Sequence, residues 1–240
     1  MPFSIVTATW QAENGIARCV RSVRGQNRPD VEHLILDNCS TDSTVELAVR
    51  ENPAVKPFVE PDHGIYDAMN KGISRAQNDI IACLNADDAY LPGALDAVAK
   101  AFESAPEAGI VYGNITVNGH VCRPPQGLAS FQGARIFHPA AFIRKRLFAE
   151  LGPFNPAFRI CADLDFFLKA RKAGVKFIYL DFPMTDFALG GLSTQQYAKT
   201  CSEVRRILRL HGYSAFFCFL YFLCTKMRGV LRSIYKGLRK

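Results

Sequence analysis

Apolar runs of strand length alternate with stretches of helical periodicity through the first half of the chain, the pattern of βαβ units. "FSIVTATW" (3–10) reads as a buried strand and "GIARCVRSVRGQ" (15–26) as a helix. "VEHLILDN" (31–38) is a second strand, followed by a helix over 42–50 with Ser40, Thr41 or Asp42 to cap it. A short strand at 55–61, a helix at 65–76, a strand at 79–85 and a helix at 92–104, with Pro92 near its start, continue the alternation. After that the pattern weakens. Residues 109–123 read as a hairpin turning on Asn118-Gly119. A Gly/Pro-rich loop is expected over 124–139, helices near 144–151 and 163–173, and a strand at 175–180. The expected fold class is α/β, a Rossmann-like and mostly parallel sheet flanked by helices.

The chain has 240 residues, 49% of them hydrophobic, enough for one sizeable domain with a real core. Its eight cysteines include no CxxC pair, and no histidine stands at zinc-finger distance, so reduced core thiols are expected. No charged region followed by an apolar one opens the sequence, and a cytoplasmic location is expected. The net charge of +7 is uneven. Six basic residues and no acid lie from Lys226 onward, leaving the rest near neutral. A domain of that balance does not read as a nucleic-acid binder.

In open parallel sheets, ligands bind beyond the carboxyl ends of the strands. Here those ends carry Thr7, Thr9 and Trp10, then Asp37 and Asn38, then Glu60 and Asp62, then Asn85, Asp87 and Asp88. The crevice so formed is acidic, and it lacks both a GxGxxG fingerprint and a P-loop. Adjacent carboxylates raise each other's cost of ionisation. With no basic residue beside Asp87 and Asp88 in the sequence, a hard divalent cation shared with a diphosphate is the expected complement.

Five segments in order, "LDNCSTDST" (36–44), "DHGIYDAMNKGI" (62–73), "LNADDAY" (84–90), "CADLDFFLKA" (161–170) and "ALGGLST" (188–194), resemble the family 2 glycosyltransferases. These are inverting enzymes of the GT-A fold that use nucleotide-diphospho-sugars, many of them in bacterial polysaccharide biosynthesis. The resemblance covers residues 3–195. It implies that Thr7 and Thr9 line the nucleotide floor. It makes Asp37 the acceptor for the base, typically uracil, with Ser40 and Asp42 in the same loop. Asn85-Ala86-Asp87 stands at the family's DxD position in the nucleotide site, with Asn85 in place of an acid; its amide oxygen can still bind a ribose hydroxyl or a metal-bound water. Asp87 is then the principal ligand of Mn²⁺ or Mg²⁺, and Asp88 lies beside it. Asp163 stands where the family places its catalytic base, after Ala162 in place of the usual Glu. Such a carboxylate takes the proton of an acceptor hydroxyl.

Each assignment has a plainer rival. Asp37, Ser40 and Asp42 also read as turn and cap residues, and Asp87 with Asp88 as a solvated loop. Asp163 also reads as a helix N-cap, with Asp165 the alternative base; residues two apart on a helix face different ways, so only one meets the crevice. Asp88, Asp165 and His138 are candidate contacts to acceptor or diphosphate, and His138 reads equally as a structural histidine. His63 reads as a surface residue and Trp10 as core.

The expected organisation is a glycosyltransferase domain over 1–212, its nucleotide-binding half at 1–105 and its acceptor half at 106–212, then a tail over 213–240. The tail's apolar run, Ala215 to Cys224, is half the roughly 20 residues that span a bilayer. Aromatics beside Lys and Arg suit an interfacial segment on an anionic leaflet. The expected function is transfer of a sugar, UDP-linked, to an acceptor hydroxyl on a lipid-linked glycan at the inner face of the cell membrane. Two alternatives stand beside it. One is a non-catalytic membrane-associated nucleotide-sugar-binding subunit. The other is a sugar nucleotidyltransferase, disfavoured because "TATWQAENG" holds no basic Gly-rich loop.

Overall fold

A computed structural model describes residues 1–125, 136–189, 195–218 and 221. Three parallel strands form its centre. β1 (Phe3–Thr9) pairs with β2 (Val31–Asp37) on one side and with β4 (Ile80–Cys83) on the other, and β2 pairs in parallel with β3 (Lys56–Val59). Register sets Thr9 opposite Asp37 and Val6 opposite Cys83, so the polar strand ends emerge at one end of the sheet. Helices α1 (Glu13–Arg24), α2 (Thr44–Glu51) and α3 (Ile65–Arg75) make the crossovers.

The second half extends the sheet and reverses part of it. β5 (Ala89–Tyr90) and α4 (Ala94–Ser104) follow β4; β6 (Ala108–Val117) and β7 (His120–Cys122) form the expected hairpin. Asn118 and Gly119 both have positive φ, 49° and 77°, as a two-residue type I′ turn requires. β8 (Ala141–Arg144) runs antiparallel between β4 and β6, and β9 (Lys176–Asp186) is parallel to β6. Among the described residues the strand order is β3-β2-β1-β4-β8-β6-β9-β5, with β7 beside β6. The remaining helices are α5 (Arg146–Leu151), α6 (Ala162–Lys172) and α7 (Tyr197–Leu210).

Alternating strand residues feed two apolar layers. Val6, Leu34 and Leu36 face a layer built with α3, α5, α6 and α7, while Phe3 and Ile5 face one built with α1 and α4. A smaller cluster of Ile16, Val20, Ile35 and Ala48 seats α1 and α2.

Three elements differ from the sequence reading. Residues 141–144 form strand β8, so the short helix starts only at Arg146. β9 continues to Asp186 rather than ending at 180, because Pro183 lies among the register shifts against β6, where a missing ladder donor is tolerated. Helix α7 has no counterpart in that reading.

Thr7 is a correction of another kind. Its hydroxyl has no exposed surface and lies 2.9 Å from His33 Nε2 and 3.8 Å from Cys19 Sγ, in the layer beneath the crevice. α1 and β2 close over it with Cys19 and His33, so it serves His33 rather than a ligand. Burial pushes the His33 imidazole down to about 3, and its Nδ1 has no partner among the described residues. The folded chain therefore holds His33 neutral, while the unfolded chain protonates it near 6.5. This group's stability contribution is complete above pH 6.5 and is lost as pH falls toward 3, up to about 5 kcal/mol. Denaturant unfolding of wild type and His33→Asn across that window should show a shallower pH dependence in the variant. Parallel curves would remove His33 from the acid response.

Candidate active site

The loops after β1 and β2 are tied to each other. Asp37, 1% exposed, accepts Thr9 Oγ1 at 2.8 Å, Ser40 Oγ at 2.7 Å and Ser40 N–H at 2.7 Å. A carboxylate offers about four lone-pair directions, so one remains. The Ser40 hydroxyl also accepts the Gln11 N–H, and Gln11 and Cys39 both have positive φ, 48° and 51°. Strained loops of this kind cluster at functional sites.

Asp42 joins the first turns of two helices, accepting the N–H groups of Thr44 at 3.1 Å and Glu13 at 3.2 Å. Ser43 is the N-cap residue of α2, and Asp42 is the turn residue before it. Glu60 is locked bidentately to Arg75, and Asp62 accepts the Gly64 N–H in the turn that starts α3. Trp10 is 66% exposed at the lip of the crevice and not in the core. His63 is exposed, as expected.

The loop after β4 divides its two carboxylates. α1 crosses it so closely that a Cβ on Gly15 would lie 2.8 Å from the Ala86 carbonyl oxygen, which only glycine permits. Asp88 is fully buried, accepting Asn85 Nδ2 and the Ala188 N–H, each at 2.8 Å. Burial pushes its carboxyl up to about 6. The expected contact of Asp88 with acceptor or diphosphate is therefore corrected: both oxygens already serve the chain. Asp87 is exposed, and its carboxylate has no hydrogen bond or ion pair among the described residues. Arg18, absent from the sequence reading, donates to the Asp87 carbonyl at 3.0 Å and pairs with Asp186.

Across the crevice stands Asp163, in the first turn of α6. Its Oδ1 accepts Tyr66 Oη at 2.9 Å, and its Oδ2 lies 3.5 Å from His138 Nδ1. The other ring nitrogen of His138 is 3.2 Å from Asn85 Oδ1, so one imidazole joins the two sides. Asp165 points the opposite way. It is fully buried, 2.8 Å from His211 Nε2 and 2.7 Å from Lys169 Nζ. The expected ligand contact of Asp165, and its candidacy as the base, are corrected by that placement on the other helix face.

Sequence reasoning also missed Tyr66 and Glu203. Tyr66 lies within the quoted "DHGIYDAMNKGI", a signal that was available. Glu203, on α7, accepts three backbone N–H groups of the segment entering α6: Arg159 at 2.9 Å, Ile160 at 2.9 Å and Cys161 at 3.0 Å. No local pattern marks such a long-range cap. A groove of about 620 Å³, lined by Asn70, Gln77, Lys145 and Phe148 among others, lies between α3 and α5 and includes none of these residues.

No set of three or more His, Cys, Asp or Glu side chains among the described residues could hold a metal by itself. The free Asp87 carboxylate still fits a Mg²⁺ or Mn²⁺ ion, which takes one or two carboxylates and fills its shell with phosphate oxygens and water. Asn85 brings no charge to such an ion, and its amide already serves Asp88 at one end and His138 at the other.

The family profile described as glycosyl transferase family 2 matches residues 4–158. The chain belongs to glycosyltransferase family 2. An uncharacterized glycosyltransferase of Mycobacterium tuberculosis is 29% identical over 227 residues, 87% of this chain and 83% of the relative. A PGL/p-HBAD biosynthesis glycosyltransferase of Mycobacterium bovis is 31% identical over 174 residues, 68% and 67% of the two chains. Among solved structures, S. aureus TarS 1–349 in complex with UDP-GlcNAc matches with a TM-score of 0.71 and 18% identity, over 86% of this chain and 65% of that one. The mannosyltransferase PcManGT of Pyrobaculum calidifontis, with GDP-Man and Mn²⁺, matches with a TM-score of 0.68 and 16% identity, over 86% and 63%. This chain therefore spans less than two thirds of these structures, and the likeness establishes the GT-A fold.

The Glu203 grip can be tested apart from chemistry. Glu203→Ala leaves three N–H groups without their carboxylate acceptor and should destabilise the fold by about 2 kcal/mol. Chemical denaturation checks this, and a change within 0.5 kcal/mol, roughly the ordinary range for a surface site, would make the cap dispensable.

Proposed function

We propose that this family 2 glycosyltransferase transfers a sugar, with inversion, from a UDP-linked donor to an acceptor hydroxyl, with Asp163 as general base. The observation that carries the reading is the opposition of Asp163, held by the Tyr66 hydroxyl and facing His138, to the loop bearing the free Asp87 carboxylate. Asp37 keeps one acceptor direction for the base, Trp10 offers an exposed aromatic face at the same lip, and Thr9 and Ser40 orient Asp37. In a single displacement, the acceptor oxygen bonds the anomeric carbon as the bond to the diphosphate breaks. The hydroxyl proton passes to the Asp163 carboxylate. Asp87 would hold Mn²⁺ or Mg²⁺, and such an ion supplies positive charge that stabilises a departing diphosphate. The UDP-GlcNAc complex of TarS and the Mn²⁺ complex of PcManGT support the choice of donor and ion by analogy of fold.

Sugar-nucleotide turnover with Mn²⁺, over UDP-GlcNAc, UDP-glucose and GDP-mannose, tests the reading. Asp163→Asn should lower kcat by roughly 10²–10⁴-fold with little change in donor binding. Asp87→Ala should lose metal-dependent nucleotide binding while remaining folded. A crippled Asp165→Asn beside a mild Asp163→Asn, or full wild-type activity in EDTA, would overturn the corresponding role.

The acceptor we propose is a lipid-linked glycan at the cytoplasmic face of the membrane, reached through the basic, aromatic tail. Among the described residues no helix is long and apolar enough to cross a membrane. At the start of the tail, Cys218 is 1% exposed within the larger apolar layer, the Tyr213 and Phe217 rings lie tilted with centroids 5.0 Å apart, and Phe216 is 70% exposed. Residues 219–220 and 222–240, with most of the basic charge, lie outside the described residues, as do 190–194 of "ALGGLST". Peripheral binding to anionic liposomes should weaken with salt and disappear on deleting 219–240. Full-length protein that ignores such liposomes at low salt would rule the tail out as an anchor.

A further inference from the structure

His138 is the one described side chain recorded in contact with both Asn85 and Asp163. Its orientation follows from a chain of donors. The Ala188 N–H and the Asn85 amide nitrogen both donate to the buried Asp88 carboxylate. An Asn side chain has one nitrogen and one oxygen, so with its nitrogen turned to Asp88 its Oδ1 must face His138. A carbonyl oxygen only accepts. His138 Nε2 therefore carries a hydrogen, and in the neutral ring Nδ1 is left as a lone pair. That lone pair lies 3.5 Å from Asp163 Oδ2, while Asp163 Oδ1 is held by the Tyr66 hydroxyl. A neutral imidazole so placed does not serve as a donor to the carboxylate. It is placed to take a proton from it.

We propose that His138 is the positioning and relay partner of Asp163, receiving at Nδ1 the proton that Asp163 removes from the attacking hydroxyl. The inference rests on the transfer reading above. The acceptor O–H bond breaks as the Asp163 O–H bond forms. That bond then breaks as Nδ1–H forms, which returns Asp163 to the carboxylate, and the imidazolium later releases its proton to water. Nε2–H stays on Asn85 throughout. The 3.5 Å separation shortens to hydrogen-bond distance with a small movement of the ring, as is common for catalytic contacts when a ligand binds. The Asn at the DxD position gains a role here: an Asp in its place would set a negative charge against Nε2–H and hold the ring as a cation, closing Nδ1 to the relay. The charged and titratable groups facing the ring are Asp163 from α6 and Asp88 from the loop after β4, with Tyr66 of α3 behind Asp163. They act as one coupled set.

Two measurements test the relay. The first needs no turnover. Imidazole ¹⁵N spectra of the full chain, with the ring identified by its absence in His138→Gln, should show the neutral ring as the Nε2–H tautomer. In Asn85→Ala that preference should fall. A neutral Nδ1–H tautomer in the wild type would overturn the relay whatever the enzyme turns over. The second is the pH profile of turnover with the same three sugar nucleotides and Mn²⁺. In His138→Gln, kcat should fall roughly 10- to 100-fold with the donor KM within about twofold. The acid limb should change shape, because one of the two groups that pass the proton is gone. A His138→Gln profile of unchanged shape, lower at every pH, would make the residue merely structural and overturn the proposal. His138→Asn is read the same way if the Gln variant fails to fold. No turnover by the wild type with any of the three donors would instead remove the transfer reading on which the relay rests.

Discussion

Asp88 has no exposed surface, and its two hydrogen bonds, to the Asn85 amide and the Ala188 N–H, join the loop after β4 to the chain leaving β9. Burying a carboxylate is unfavourable, and the displacement of its titration to about 6 records that cost. The two donors offset part of it and fix the loop. Once fixed, the adjacent residue Asp87 has to face outward, and the Asn85 carbonyl has to face His138. His138 in turn faces Asp163. A single internal carboxylate thus orients groups on β4, β9, the turn before β8 and α6. Two adjacent aspartates with no neutralising base look redundant in the sequence, but they divide the work of holding a loop and of facing a ligand.

Asp163 is held from its other side by the late helix α7. Glu203 gathers three N–H groups of the segment entering α6, which has no side-chain cap of its own. Two residues beyond Asp163, Asp165 is tied to His211 just past the end of α7. These two contacts bracket the first turn of α6, and Ile207 and Leu208 seat α7 in the same apolar layer. Helix α7 leads directly into the aromatic, basic tail. Helix α7 thus fixes the turn of α6 that carries Asp163.

The first half of the fold was legible because its strands are apolar on both faces and its helices amphipathic, the signature of a parallel sheet with covered faces. The hairpin was legible for a narrower reason, since Asn118-Gly119 has the residues that a type I′ turn demands. β8 was not legible: four residues squeezed between a 3-10 turn at His138–Ala140 and α5 carry no period of their own. Pro183 hid the second half of β9. At the site, the polar strand ends brought Asp37 and Asp87 to one crevice and the family resemblance added Asp163, but orientation was beyond both. Thr7 and Thr9 lie on one strand face, yet one is a core residue serving His33 and the other holds Asp37. Asp163 and Asp165 differ by two positions and by which helix packs against them. Burial decides each case, and burial comes from partners distant in sequence.

The charges around the crevice are distributed so that its two sides differ. Arg18 is paired with Asp186, Lys71 with Asp67 and Arg75 with Glu60, so three cations on its rim already have acidic partners. Asp87 and Asp163 have no Lys or Arg partner among the described residues. On the proposed reading, a diphosphate approaching Asp87 alone would meet like charge, and a divalent cation alone would meet a single carboxylate in water, a weak site. Together they neutralise each other, and Asp87 binds the pair better than either component. Donor and ion should then be thermodynamically linked, each raising the apparent affinity of the other by the same factor. Replacing the first DxD acid with Asn85 strengthens that linkage, because it removes one charge that would have held the ion in the absence of the donor. The same replacement leaves Asn85 free to hold His138 toward Asp163, so one substitution bears on both the donor side and the base side of the site.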